Sequence, residues 1–142
     1  MLNDIVSGIS EKLYETFGDG HEIYTEPLKQ GLQEPCFLIS GIDHNTMPIA
    51  GPRSFRGNLF SLKYFPKSTT DPKAECLAVA DALFLALEYI TAGGDLIRGT
   101  DMDVNFVDDV LVFRVAYNII VRRRDAGFEV MEGFEQATQV KE

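Results

Sequence analysis

His21, His44, Cys36 and Cys76 are the side chains of this sequence best suited to hold a soft divalent metal. A tetrahedral zinc site is preorganised by short pairs such as C-x2-C or H-x3-H, and none of the four stands in such a pair. Cys36 also opens the apolar run Cys36-Phe37-Leu38-Ile39-Ser40, where burial would keep a thiol protonated and inert. Asp101, Asp103 and Asn105 begin like a calcium loop. The sixth position, however, is Phe106 where a glycine must turn the chain, and the twelfth is Val112 where a bidentate Glu is required. Asp108-Asp109 reads as an exposed turn, lacking the burial that tunes a carboxylate pair for acid–base work. Neither a G-x-S-x-G elbow nor a glycine-rich phosphate loop is present. The expectation is a structural or interaction protein, with no catalytic residue, metal or cofactor.

Residues that could make contacts are easier to find. Arg122-Arg123-Arg124 is the one concentrated positive patch. It reads either as a solvated strand end that discourages edge pairing or as a contact to an acidic surface or phosphate. Residues 44–54 hold His44, Met47, Ile49 and Arg53 together with two prolines and a glycine, which forbid a helix and predict a long loop. Such a loop is often a binding element, although Met47, Ile49 and Phe55 could instead fold back on their own core. Beyond Arg124 an aperiodic acidic stretch containing Phe128 predicts a flexible tail over residues 125–142, following a single domain over 1–124.

These candidates must be positioned by regular elements. Leu2, Ile5, Ile9, Leu13 and Phe17 recur at spacings of three and four and predict a helix over residues 2–17, stopped by Gly18-Asp19-Gly20. A short strand over 21–25, an irregular loop over 26–35 and a strand over 36–40, covered on both faces, come next. Phe60, Leu62 and Tyr64 alternate with Ser61 and Lys63 in a strand over 55–65. A second helix, capped by Asp71 with Pro72 in its first turn, is expected to bury Leu77, Ala80, Leu83, Phe84, Leu87 and Ile90 and to end at Gly93-Gly94. Strands over 102–107 and 110–122 join across Asp108-Asp109 as a tight hairpin. The order α-β-β-β-α-β-β gives an α+β class: a largely antiparallel sheet of about five strands with both helices on one face.

The bulk properties agree. A chain of 142 residues suits one domain, and 45% hydrophobic with 25% charged residues is the balance of a chain that folds unaided. The net charge of −9 opposes general binding to nucleic acid or to anionic membranes. Two cysteines in dissimilar elements suit buried thiols in a reducing cytoplasm. No window predicts a membrane span, and the start of the sequence does not read as a secretory signal.

Four segments carry a likeness to a known family. They are Gln30-Gly31-Leu32-Gln33-Glu34-Pro35-Cys36-Phe37, Tyr64-Phe65-Pro66-Lys67-Ser68, Ala86-Leu87-Glu88-Tyr89-Ile90 and Asp95-Leu96-Ile97-Arg98-Gly99-Thr100. In order and spacing they resemble tail terminator (tail completion) proteins of tailed phages and prophages, mainly of Gram-positive bacteria, with the likeness running from the first helix to about Val121. The resemblance implies a small α+β protein that assembles with itself into a ring, usually a hexamer, on the head-proximal end of the tail tube. There it would stop tube growth and face the head-completion protein. DNA would be passing cargo only, with an acidic lumen keeping it from sticking. Assembly in the host cytoplasm and residence in the virion tail follow, with no membrane partner, no cofactor and no catalytic residue. A neck or head-closure protein of the same machine is the nearest rival. A ligand-binding or enzyme domain would show itself by a deep polar pocket with clustered, perturbed carboxylates.

Overall fold

The structure, a computed structural model, describes residues 2–25, 33–124 and 127–130. Helix α1 (Leu2–Phe17) turns through Gly18–Gly20 into β1 (Glu22–Tyr24). Strands β2 (Cys36–Ala50) and β3 (Arg53–Phe65) follow, then α2 (Pro72–Ala86). The chain continues through β4 (Tyr89–Ala92), β5 (Asp95–Arg98), β6 (Thr100–Val107), β7 (Val110–Ala116), β8 (Ile119–Arg124) and β9 (Gly127–Val130). The main sheet runs β1-β2-β3-β7-β6, with β8 pairing the far part of β3 and β9 pairing β8, while β4 and β5 form a separate hairpin. Among the described residues β1 pairs β2 in parallel and the other pairings are antiparallel. This is the α+β class expected, with seven strands in the main sheet where about five were expected.

One face of the sheet makes the core. Phe37 and Ile39 of β2 lie in register with Tyr64 and Leu62 of β3, and these with Leu111 and Phe113 of β7. Ile5, Ile9 and Leu13 of α1 and Cys76, Val79, Ala80 and Leu83 of α2 complete the same buried cluster. Helix α1 comes so close to β4 that a Cβ at Gly8 would collide with the Thr91 carbonyl oxygen. The α2 start forms as its residues dictate, Asp71 Oδ1 accepting from Ala74 N at 3.3 Å with Pro72 in the first turn.

Several expectations need correction. Residues 44–54 are not a loop: β2 continues to Ala50, turns through Gly51-Pro52 and returns as β3 from Arg53, with pairing maintained from Cys36↔Phe65 to Ala50↔Arg53. Pro48 is tolerated because β1 covers Cys36 to Leu38 alone, and beyond them no strand among the described residues pairs with the outer edge of β2, so no N–H is needed there. In α2, Leu77 and Phe84 are exposed, and the smaller Cys76, Val79 and Ala80 are buried beside Leu83. Small side chains let the helix approach the sheet. The helix also ends at Ala86, and Ile90 belongs to β4; Gly93 (φ 60°) and Gly94 (φ 89°) are the two-residue turn of the β4–β5 hairpin and not a helix stop.

The strand expected over 110–122 is broken at Tyr117-Asn118 into β7 and β8. The strand β9 occupies Gly127–Val130, where a flexible tail was expected; residues 125, 126 and 131–142 of that tail lie outside the described residues, as does most of the loop expected over 26–35. The Asp108-Asp109 turn is present as expected, both residues adopting the left-handed conformation (φ 51° and 64°) that short acidic side chains tolerate.

Candidate assembly surface

The far half of the β2–β3 hairpin is an arm. Its residues 41–50 are exposed throughout, and beyond β3 its pairing continues only onto β8, through Arg53↔Arg122 to Arg56↔Ile119. A bulge between Gly41 and Asp43 leaves Ile42 without a cross-strand partner at the root of the arm.

A buried amide pins that root. Asn58, 2% exposed, donates from Nδ2 to the Tyr117 carbonyl oxygen (3.0 Å) and from its backbone N–H to Asn118 Oδ1 (3.1 Å), while its own carbonyl accepts from Tyr117 N (2.8 Å). With Nδ2 spent on a carbonyl, the Asn58 Oδ1 must accept from His44, whose Nδ1 lies 3.2 Å away; the imidazole is therefore protonated at Nδ1. The same ring meets Phe60 edge-on at 5.2 Å between centroids and sits over Gly41, where a Cβ would strike its Nε2. His44 is thus a pin of the arm. Tyr117 extends the lock inward, donating its hydroxyl to the Leu87 carbonyl oxygen at 2.7 Å.

Met47, Phe55, Arg53, Ile120 and Arg122 share one face of the arm through the pairs Met47↔Phe55, Phe55↔Ile120 and Arg53↔Arg122. By strand alternation this is the face of Leu59, Ser61 and Lys63, turned away from the helices. Met47 is 58% exposed and Ile49 37%. Arg53 and Arg122, like charges directly opposite each other, destabilise an isolated sheet, and no described carboxylate pairs with either. Arg123 is exposed on β8, opposite Phe128 of β9 in the register, and Arg124 is opposite Gly127. The expected contact residues His44, Met47, Ile49, Arg53, Arg122 and Arg123 are therefore gathered on one projection, with the backbones of Arg124 and Phe128 beside it.

Sequence reasoning missed Asn58, Tyr117 and Asn118, which join the arm to the body, and the exposed Leu77 and Leu85 of α2. The leucines had a signal: Leu77, Leu83, Phe84 and Leu85 surround the helix, and one sheet cannot cover every side.

Elsewhere the polar groups are architectural. Glu75 accepts from the Tyr64 hydroxyl (2.5 Å) and from the backbone N–H groups of Lys67 and Ser68 (2.8 Å each), tying the end of β3 to α2. Burial pushes the Glu75 carboxyl up, but these three donors outweigh it and hold the group below its usual range. The Cys36 thiol is pushed up to about 11, by burial first and then by Glu34 and Glu22. Arg114 clasps Asp103 through Nε (3.1 Å) and Nη2 (2.8 Å), which lowers the Asp103 carboxyl. That pair borders an open cleft of about 410 Å3 shared with Asp43, Asn45, Phe55 and Asp101. No cluster of three metal-ligating side chains occurs among the described residues, and no described helix is long and apolar enough to cross a membrane.

The sequence matches the family described as phage tail terminator protein over residues 4–127. The chain belongs to this family. It is a structural phage tail protein, and the virion tail is its place. No curated protein matches the sequence. Among solved structures, one shares the fold of this terminator family member with a TM-score of 0.51, at 12% identity over 92% of this chain and 96% of its own.

Proposed function

We propose that this chain caps the head-proximal end of the phage tail tube as a ring of identical copies, most simply six, stopping tube growth and offering the surface on which the head-completion protein docks. The observation that carries the reading is the arm: the far half of the β2–β3 hairpin, flanked by β8 and pinned at its root by Asn58 and His44, which exposes Met47, Ile49 and Arg122 to solvent and sets half-buried Arg53 opposite Arg122. In a lone molecule such a surface is a liability; in a family of tail terminators it is what an assembly contact requires. The partners are other copies of the chain, the tail tube protein and the head-completion protein, with DNA passing through. The acidic net charge of −9 supports passage of DNA without adhesion.

Electron microscopy of particles made without this gene tests the proposal. Overlong tails without heads are the expected result. Tails of normal length that fail to join heads would move the protein to head closure, and infectious particles would remove the capping role altogether.

A further inference from the structure

The second patch lies on the opposite side of the molecule. Helix α2 presses Cys76, Val79, Ala80 and Leu83 onto the core, and on its outer side Lys73, Leu77, Asp81 and Leu85 form an exposed row at four-residue spacing. Leu85 is 79% exposed and Leu77 48%. Leucines thus stand on the outer side of α2 as well as on the side that meets the sheet. The described residues cover the latter side, and no described cation pairs with Asp81.

The arm supplies the complement. Its outer face offers exposed Met47 and Arg122 with half-buried Arg53 opposite Arg122, whereas the helix row offers Leu77 and Leu85 flanking the negative Asp81, with Lys73 at the row's start. The exposed stretch of the arm, residues 41–50, spans about 33 Å when extended, and the 15 residues of α2 span about 22 Å. One can lie along the other. The two patches differ from each other and face opposite sides of the sheet, so pairing them is heterologous and propagates around an axis without exhausting either patch.

We infer that the arm of one copy lies along the outer row of α2 on the next copy, with Met47 against Leu77 and Leu85 and the arm arginines against Asp81. This assignment rests on the ring reading and specifies its contact. It also accounts for two arginines standing opposite each other across β3 and β8: the compensating carboxylate belongs to the neighbour.

The test uses full-length chains, Met47→Cys and Leu85→Cys, supplied separately or together to tails assembled without the native copy and treated with a short bifunctional thiol reagent. Cys36 and Cys76 are buried and silent. A linked dimer that requires both variants is the expected result. A dimer from Met47→Cys alone would show arm against arm and overturn the assignment. Tails of regulated length with no linked product in the mixture would overturn it too, while leaving the capping reading intact; tails of normal length in the complete absence of the chain would remove that reading itself. Charge exchange provides the second measurement. Asp81→Arg should lower the yield of length-regulated tails roughly tenfold or more, and adding Arg53→Asp should restore most of it, as expected of a direct charge pair. Failure of the double variant to recover, with both proteins folded, would overturn the pairing.

Discussion

Asn58 shows how much one side chain can decide. It is a buried polar residue on the core-side register of β3, and its three side-chain and backbone partners lie in β2 and in the break between β7 and β8. Asn58→Leu would strand the Tyr117 carbonyl and the His44 Nδ1–H, and should cost about 2–3 kcal/mol of stability, read as a lower thermal midpoint with the arm more open to protease. Glu75 makes a pH prediction. Its carboxyl is held below the unfolded value of 4.5, so its contribution is fully present above that value and is lost as pH falls through the lower folded value. Glu75→Gln should therefore destabilise the protein at neutral pH and flatten the loss of stability on acidification below about pH 4.5. An unchanged acid unfolding curve would show that Tyr64, Lys67 and Ser68 do not set this group.

At the scale of elements, α2 and α1 make opposite demands on the core. Leu83 has no exposure and Leu85 has 79%, although they are two residues apart. Leu83→Asp places an unpaired charge in the core and should unfold the domain, whereas Leu85→Asp should keep the wild-type melting curve and fail only in assembly. Circular dichroism on the two variants separates fold from contact. Helix α1 is held by proximity: Gly8→Val must push against the backbone of Thr91 and Ile90 Cδ1, a loss of about 1–3 kcal/mol that thermal unfolding measures. The strands β8 and β9 bear on the arm's outer edge. Truncation after Arg124 removes β9 and all that follows. The folded core should persist, because β9 pairs only with β8 among the described residues and the helix–sheet core of α1, α2, β2, β3 and β7 is built without it, and tail capping should weaken.

For the whole molecule, the arrangement is a body and a projection. The body is closed by helices on one sheet face, while the arm and the outer side of α2 carry the apolar and charged surface that the body leaves uncovered. Shortening the arm by removing residues 47–55 and rejoining Thr46 to its cross-strand partner Arg56 through a two-residue Asn-Gly turn, which keeps His44 and Asn58, tests this division. The body should stay folded with a modest fall in thermal midpoint, and the chain should no longer regulate tail length. Regulated tails from the shortened chain would place the contact elsewhere.

Much of the body was legible in the sequence because its elements bury one side. Ile5, Ile9 and Leu13 gave α1, Phe60, Leu62 and Tyr64 gave the inner half of β3, and Leu111, Phe113 and Val115 gave β7. The arm was illegible for the same reason reversed: neither face of residues 41–50 is buried, so alternation leaves no trace and Pro48, Gly51 and Pro52 dominate the reading. Gly93-Gly94 suits either a helix end or a hairpin turn, and only the packing of β4 on α1 selects the turn. The sequence alone therefore determined the α+β class, the family likeness, the acidic balance and the residue types available for contact. The tertiary structure decided where those residues meet. Arg53 and Arg122 become neighbours only through strand pairing across a long chain separation, and whether Leu83 or Leu85 is buried depends on which side of α2 the sheet occupies.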